Sequence, residues 1–188
     1  MPISKLEAAQ RQLDCAIRLL FTLDDMPSVI TLSRAAFRIL LDIYPVLKPD
    51  GKFGAQLSQV IKGMGWSNFN KIANELKHAE RDAEATIEPH QMHAMVGIGI
   101  AITLYHQITE AYTPEMQAFE MLMTILEPDV FGGPHDPSAK AYEDFIKARE
   151  RLRDATHEQQ MEFCRGSLHF LKTGIVADKD PSPPGRGH

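Results

Sequence analysis

The sequence predicts an all-α protein, a single bundle of about seven helices, and three observations carry that expectation. Apolar residues recur at three- and four-residue spacing along almost the whole chain. Ser, Thr or Asp precedes most of these segments and Gly or Pro follows them, the usual start and stop chemistry of helices. No alternating apolar and polar runs read as a strand pair, and no internal repeat is visible.

The first helix opens at Ser4 and Glu7, which have capping-box spacing, so each side chain can satisfy an orphan amide at the helix start. Leu6, Leu13, Ile17 and Leu20 form its stripe. Asp24-Asp25-Met26-Pro27 breaks that helix, and Ser28 is expected to cap a second one running through Tyr44, with Leu32, Ala36, Ile39 and Ile43 inward. So tight a connection favours an antiparallel hairpin. Pro45, Pro49, Gly51 and Gly54 mark residues 45–55 as a loop. A short helix from Gln56 to Lys62 ends at Gly63 and Gly65. Ser67 then caps a helix carrying Phe69, Ile72, Ala73 and Leu76, followed by a connector at 83–88.

Pro89 suits the first turn of the next helix, where its missing N–H leaves nothing unsatisfied. This helix runs to about Tyr112 and holds the longest apolar run, Met92 to Tyr105, which is shorter than the roughly 20 residues a bilayer span needs. It reads as a buried core helix. Gly97, Gly99 and Ala101 are small, and each glycine sacrifices about 1 kcal/mol of helix propensity relative to alanine, so close approach of another helix is the expected compensation. Thr113-Pro114-Glu115 starts the following helix and Pro128 closes it. Beyond the Gly132-Gly133-Pro134 loop, Asp136 is expected to cap a charged helix from Pro137 to about Asp154. Thr156 and Gln159 make a further capping box, for a helix ending near Gly174. The domain reading is a helical bundle over 1–176 and a disordered Pro/Gly-rich tail over 177–188.

Composition narrows the function classes. A chain of 188 residues buries enough surface to fold without a disulfide or metal. A formal charge of −5 argues against extensive nucleic-acid binding, which needs clustered Lys and Arg. Cys15 and Cys164 sit far apart in apolar helical patterns and read as reduced core thiols, which fits a cytoplasmic setting. The polar opening Met1-Pro2-Ile3-Ser4-Lys5 carries no signal-peptide pattern, and no membrane association is expected. Neither cysteine lies in a Cys-x-x-Cys motif, and Gly-x-Ser-x-Gly and P-loop patterns are absent from the sequence.

Chemistry concentrates at Asn74-Glu75-Leu76-Lys77-His78-Ala79-Glu80-Arg81-Asp82. Asn74 and His78 lie four apart on one helix face, while Lys77 and Arg81 share the neighbouring face. Cations beside an imidazole favour its neutral form, so His78 could act as a general base with Asn74 beside it. Lys77 and Arg81 could hold a phosphate, with Asp82 paired to Arg81 or capping a turn. The plainer reading is a helix C-terminus, where Lys and His complement the dipole.

A metal reading rests on Glu75-x-x-His78, a ligand spacing of four-helix carboxylate proteins. Asp154-x-x-His157 is the nearest second copy, and it crosses the Thr156 cap. Glu88, His90 and His93 form another grouping, but no complete ligand set is fixed, so no metal or cofactor is expected. Met92, Met95, Met116, Met121 and Met123 fall in two successive helices, as core or as the face of a homodimer.

Leu6-Glu7-Ala8-Ala9-Gln10-Arg11-Gln12-Leu13-Asp14, Ser28-Val29-Ile30-Thr31-Leu32 and Asn74-x-x-Lys77-His78-Ala79-x-Arg81-Asp82 resemble a group of uncharacterised bacterial helical proteins with an Asn-Phe-Phe-Lys-His-Ala-Asp-Arg-Asp type motif. Glu75-Leu76 replaces the aromatic pair here and Glu80 the first aspartate. That resemblance locates a site without implying an activity. The asparagine followed four residues later by histidine is similar to the HEPN superfamily of helical nucleotide-binding domains, whose active members are dimeric ribonucleases. Asn74 and His78 match those two positions, while Ala73 occupies the arginine position and Lys71 is the nearest upstream cation. The expected function is a homodimeric helical module that recognises a small anionic ligand, a nucleotide or a protein partner. A metal-independent ribonuclease using His78 is the alternative, and a metal-binding bundle the third.

Overall fold

Ser4 starts the first helix, α1 (Lys5–Thr22), by accepting the Glu7 amide at 3.1 Å. The reciprocal half of the expected capping box is replaced: the Glu7 carboxylate takes Arg11, one turn on. A computed structural model describes residues 2–23, 25–64, 71, 72, 74, 76, 86, 88, 89, 91–128 and 140–175, so the expected tail lies outside the described residues. Among the described residues there are seven helices and no strand. None of these helices is long and apolar enough to cross a membrane.

The second helix, α2 (Met26–Leu47), begins earlier than Ser28 and ends later than Tyr44. Asp25 is the cap, accepting from the Ser28 amide at 3.1 Å and from the Ser28 hydroxyl. Those two bonds hold the Asp25 carboxyl below its ordinary range. Pro27 does not break the chain: it occupies the first turn, where no intrahelical N–H is required. The inward face also differs from the expected stripe. Val29, Ile30, Ser33, Ala36, Phe37, Leu40 and Tyr44 are buried, whereas Leu32, Ile39 and Ile43 are only partly buried at its margin.

The third helix, α3 (Phe53–Met64), starts before Gln56, and Gly54 in its first turn lies directly against the Tyr44 ring. A Cβ at Gly54 would fall 2.6 Å from Tyr44 Cδ1, so only glycine permits the contact. Helices α4 (Gln91–Thr109), α5 (Pro114–Leu126), α6 (Lys140–Arg153) and α7 (His157–Thr173) complete the fold. α4 is shorter at both ends than expected. It stops where Glu110 takes a left-handed conformation at φ 58°. Thr113 caps α5, both halves of the Thr156–Gln159 box are formed, and Gly174 closes α7 at φ 72°. Asp136 and Pro137, the expected start of α6, lie outside the described residues.

α1 is the hub. α2 and α4 pack on each other and on α1, α5 and α7 also reach α1, α3 attaches to α2, and α6 attaches to α5. The core follows from that order, with Phe21, Phe37 and Phe119 fully buried among Leu13, Ile17, Leu20, Ile98 and Ile102. Each such phenylalanine is worth roughly 3–5 kcal/mol against truncation to alanine. Gly97 marks a close approach in the α2–α4 seam, since a Cβ there would meet Ser33 Oγ at 3.1 Å and Arg34 Cζ at 3.6 Å. α1 has no basic residue in its last turn, and Arg165 of α7 serves instead, donating to the Phe21 carbonyl at 2.6 Å.

Candidate functional site

Residues 71, 72, 74 and 76 are helical. Ile72 and Leu76, one turn apart, pack against the core, and Asn74 between them is half-buried. A helix turns about 100° per residue, so Asn74 stands on the side away from those two anchors. Lys77, His78, Arg81 and Asp82 lie outside the described residues, as does Glu75. Of the expected site residues Asn74, Lys77, His78, Arg81 and Asp82, Asn74 alone therefore has a described position.

The metal groupings do not assemble among the described residues, where no three His, Cys, Asp or Glu side chains converge. Glu88 and His93 are exposed, and His90 is outside the described residues. Thr156 separates Asp154 in its turn from His157 at the start of α7. His157 Nδ1 instead lies 3.2 Å from Gln91 Nε2 of α4, while its Nε2 is buried with no hydrogen-bond partner. Both cysteines carry free thiols, and burial pushes Cys164 up to about 12, the wrong direction for a nucleophile. The methionines divide: Met116 and Met123 are core, Met95 is partly buried, and Met92 and Met121 are exposed.

Two polar assemblies escaped the sequence reading. One joins α1, α4, α5 and α7. Tyr105 donates to Gln10 at 3.0 Å, Thr113 donates to Asp14 at 2.6 Å, and buried Glu115 accepts from Arg18 and Lys172, each at 2.6 Å. Burial raises the Asp14 carboxyl, and the Glu115 charge adds to that against the Thr113 hydrogen bond. Burial would raise Glu115 as well, but the bonds from Lys172 and Arg18 outweigh it and hold the carboxyl below its ordinary range. Two carboxyls displaced in opposite directions can mark an acid–base pair. Here their named partners are other parts of the chain, so the assembly works as a joint between helices.

The second assembly is His106 of α4, Tyr112 of the connection and Glu120 of α5. The His106 and Tyr112 rings stack at 4.2 Å and 13°. The Tyr112 hydroxyl and the Glu120 carboxylate are near enough for each to shift the other. Burial raises both groups, Tyr112 further through the Glu120 charge, while the Tyr112 hydroxyl and His106 partly offset the rise at Glu120. His106 Nδ1 is buried with no hydrogen-bond partner. Glu120 also borders a groove of about 470 Å³ between α5 and α6, lined by Gln117, Met121, Thr124, Ile125 and Phe145. The signal for this cluster was faint in sequence, because His106 and Tyr112 are six apart and meet only where the chain turns at Glu110.

The fold and these sites define the chain as an all-helical protein. No family model, curated protein or solved structure matches it.

Proposed function

We propose that this protein is a non-enzymatic helical binding module, acting as a homodimer and recognising a small anionic ligand such as a nucleotide through residues 74–82. One observation carries the reading: the turn bearing Asn74 is gripped by the core through Ile72 and Leu76, so its amide is presented from a fixed element. Lys77 and Arg81 follow one and two turns along the sequence and supply the charge that anion recognition needs. In a chain of net charge −5 such a pair stands out as a local attractor. Met92 and Val96, one turn apart and 66% and 45% exposed on α4, give a twofold partner an apolar strip to cover.

Calorimetric titration with adenosine monophosphate tests the reading. Saturable binding is expected, and it should vanish in the Lys77→Ala/Arg81→Ala variant. Sedimentation equilibrium should report a dimer. Undiminished binding by the double variant would remove the proposed site. Cleavage of unstructured RNA in EDTA that disappears in His78→Ala would replace the binding module with a metal-independent ribonuclease.

A further inference from the structure

Gln117, Glu120, Met121 and Thr124 recur at helical spacing and form one face of α5, with Ile125 beside them. Phe145 of α6 lies across from them, and together they line the groove of about 470 Å³, within the size range of small-molecule sites. Apart from Glu120, the polar lining among the described residues consists of an amide and a hydroxyl, with no Lys or Arg among them. An ionised carboxylate can accept about four hydrogen bonds, and the Tyr112 hydroxyl is a neighbouring donor. Glu120 is thus a partly desolvated anion with spare acceptor capacity beside an apolar wall.

We propose that the α5–α6 groove binds a small amphipathic cation, an alkyl- or arylalkyl-ammonium, whose charge pairs with Glu120 and whose hydrocarbon lies along Met121, Ile125 and Phe145. The charge of the site selects this occupant. A carboxylate away from bulk water interacts more strongly with a cation than an exposed one does. A neutral apolar ligand would bury Glu120 further without compensating it, and an anion would meet like charge. The Phe145 ring adds a surface on which either the chain or the ammonium can rest. This site is separate from residues 74–82 and does not rest on the anion-binding reading.

Titrate the full chain with 2-phenylethylammonium and follow it by calorimetry and by backbone amide shifts. Saturable binding below about 1 mM is expected, with the perturbed amides centred on 117–125 and 145. Glu120→Gln, which keeps the side chain's shape, should weaken binding about tenfold or more, and Phe145→Ala should weaken it several-fold, with circular dichroism confirming that both variants fold. In the unaltered protein, 2-phenylethanol and 3-phenylpropionate should bind at least about tenfold more weakly than the amine. Either ligand binding as well as the amine, shifts centred elsewhere, or no saturable binding overturns the proposal, whatever the variants do.

Discussion

Gly97→Ala puts one carbon into a close approach of the α2–α4 seam, 3.1 Å from Ser33 Oγ and 3.6 Å from Arg34 Cζ. Alanine gains about 1 kcal/mol over glycine in a helix interior. Overpacking a tight seam costs about 1–3 kcal/mol. Ser33 cannot simply step aside, because it is fully buried and its hydroxyl donates to the Ile30 carbonyl at 3.1 Å. The net expectation is destabilisation of roughly 0–2 kcal/mol for alanine and about 3 kcal/mol for Gly97→Leu. Gly166 of α7 is the control, since a Cβ there meets nothing within 4 Å. Gly166→Ala should therefore stabilise the protein by about 0.5–1 kcal/mol. Urea unfolding followed by circular dichroism separates the two, with midpoints moving in opposite directions. Adding Ser33→Ala should recover about 1 kcal/mol in the Gly97→Ala background beyond its effect alone. A Gly97→Ala midpoint that rises as far as the Gly166→Ala midpoint would show that α2 and α4 are not in contact there.

Thr113→Val removes a hydroxyl that accepts the Met116 amide at 3.2 Å and donates to Asp14, so unfolding free energy should fall by about 2–3 kcal/mol in a denaturant titration. Asp14 and Glu115 should show opposite pH dependence in thermal melts. The Asp14 carboxyl is raised in the folded state, so its penalty grows as pH rises; Asp14→Asn should melt above the parent protein at pH 7, and the gap should close as pH falls from the raised folded value to the ordinary aspartate value. Glu115 is lowered, so its contribution is present above the ordinary glutamate pKa and lost as pH falls through the folded value; Glu115→Gln should cost roughly 1–2 kcal/mol at pH 7 and less in acid, the loss being moderated because Arg18 and Lys172 both reach solvent. Mass spectrometry after thiol alkylation of the native protein should find Cys164 unlabelled until the chain unfolds, because it is fully buried and its thiol is pushed up to about 12.

Helix ends were legible where a cap is a local matter. Thr113 before Pro114, Thr156 with Gln159, and Gly174 each announce a boundary through side-chain or backbone chemistry confined to a few residues, and each is found in place. The start of α2 was ambiguous because Asp25 and Ser28 are both capping residues, and Met26-Pro27 suits a first turn as readily as a break. Its inner face was harder still. Val29, Ile30, Leu32, Ile39, Leu40, Leu41 and Ile43 surround much of the helix, so periodicity offers two stripes, and contacts with α1, α3 and α4 decide between them. At the candidate site the sequence identified Asn74 as a helical position but not its anchorage through Ile72 and Leu76. The His106–Tyr112–Glu120 cluster depends on the turn at Glu110, which periodicity cannot anticipate.

The Arg165 bond to the Phe21 carbonyl spans 144 positions, so α1 is completed by a side chain synthesised long after it. α1, α2 and α4 can close their shared seam while the ribosome is still adding residues, but the Phe21 carbonyl must stay in water until α7 emerges. A product halted before residue 157 would keep the glycine seam and lose that closure. α7 is thus a latch on α1, and a load that pulls on α7 acts on α1 too.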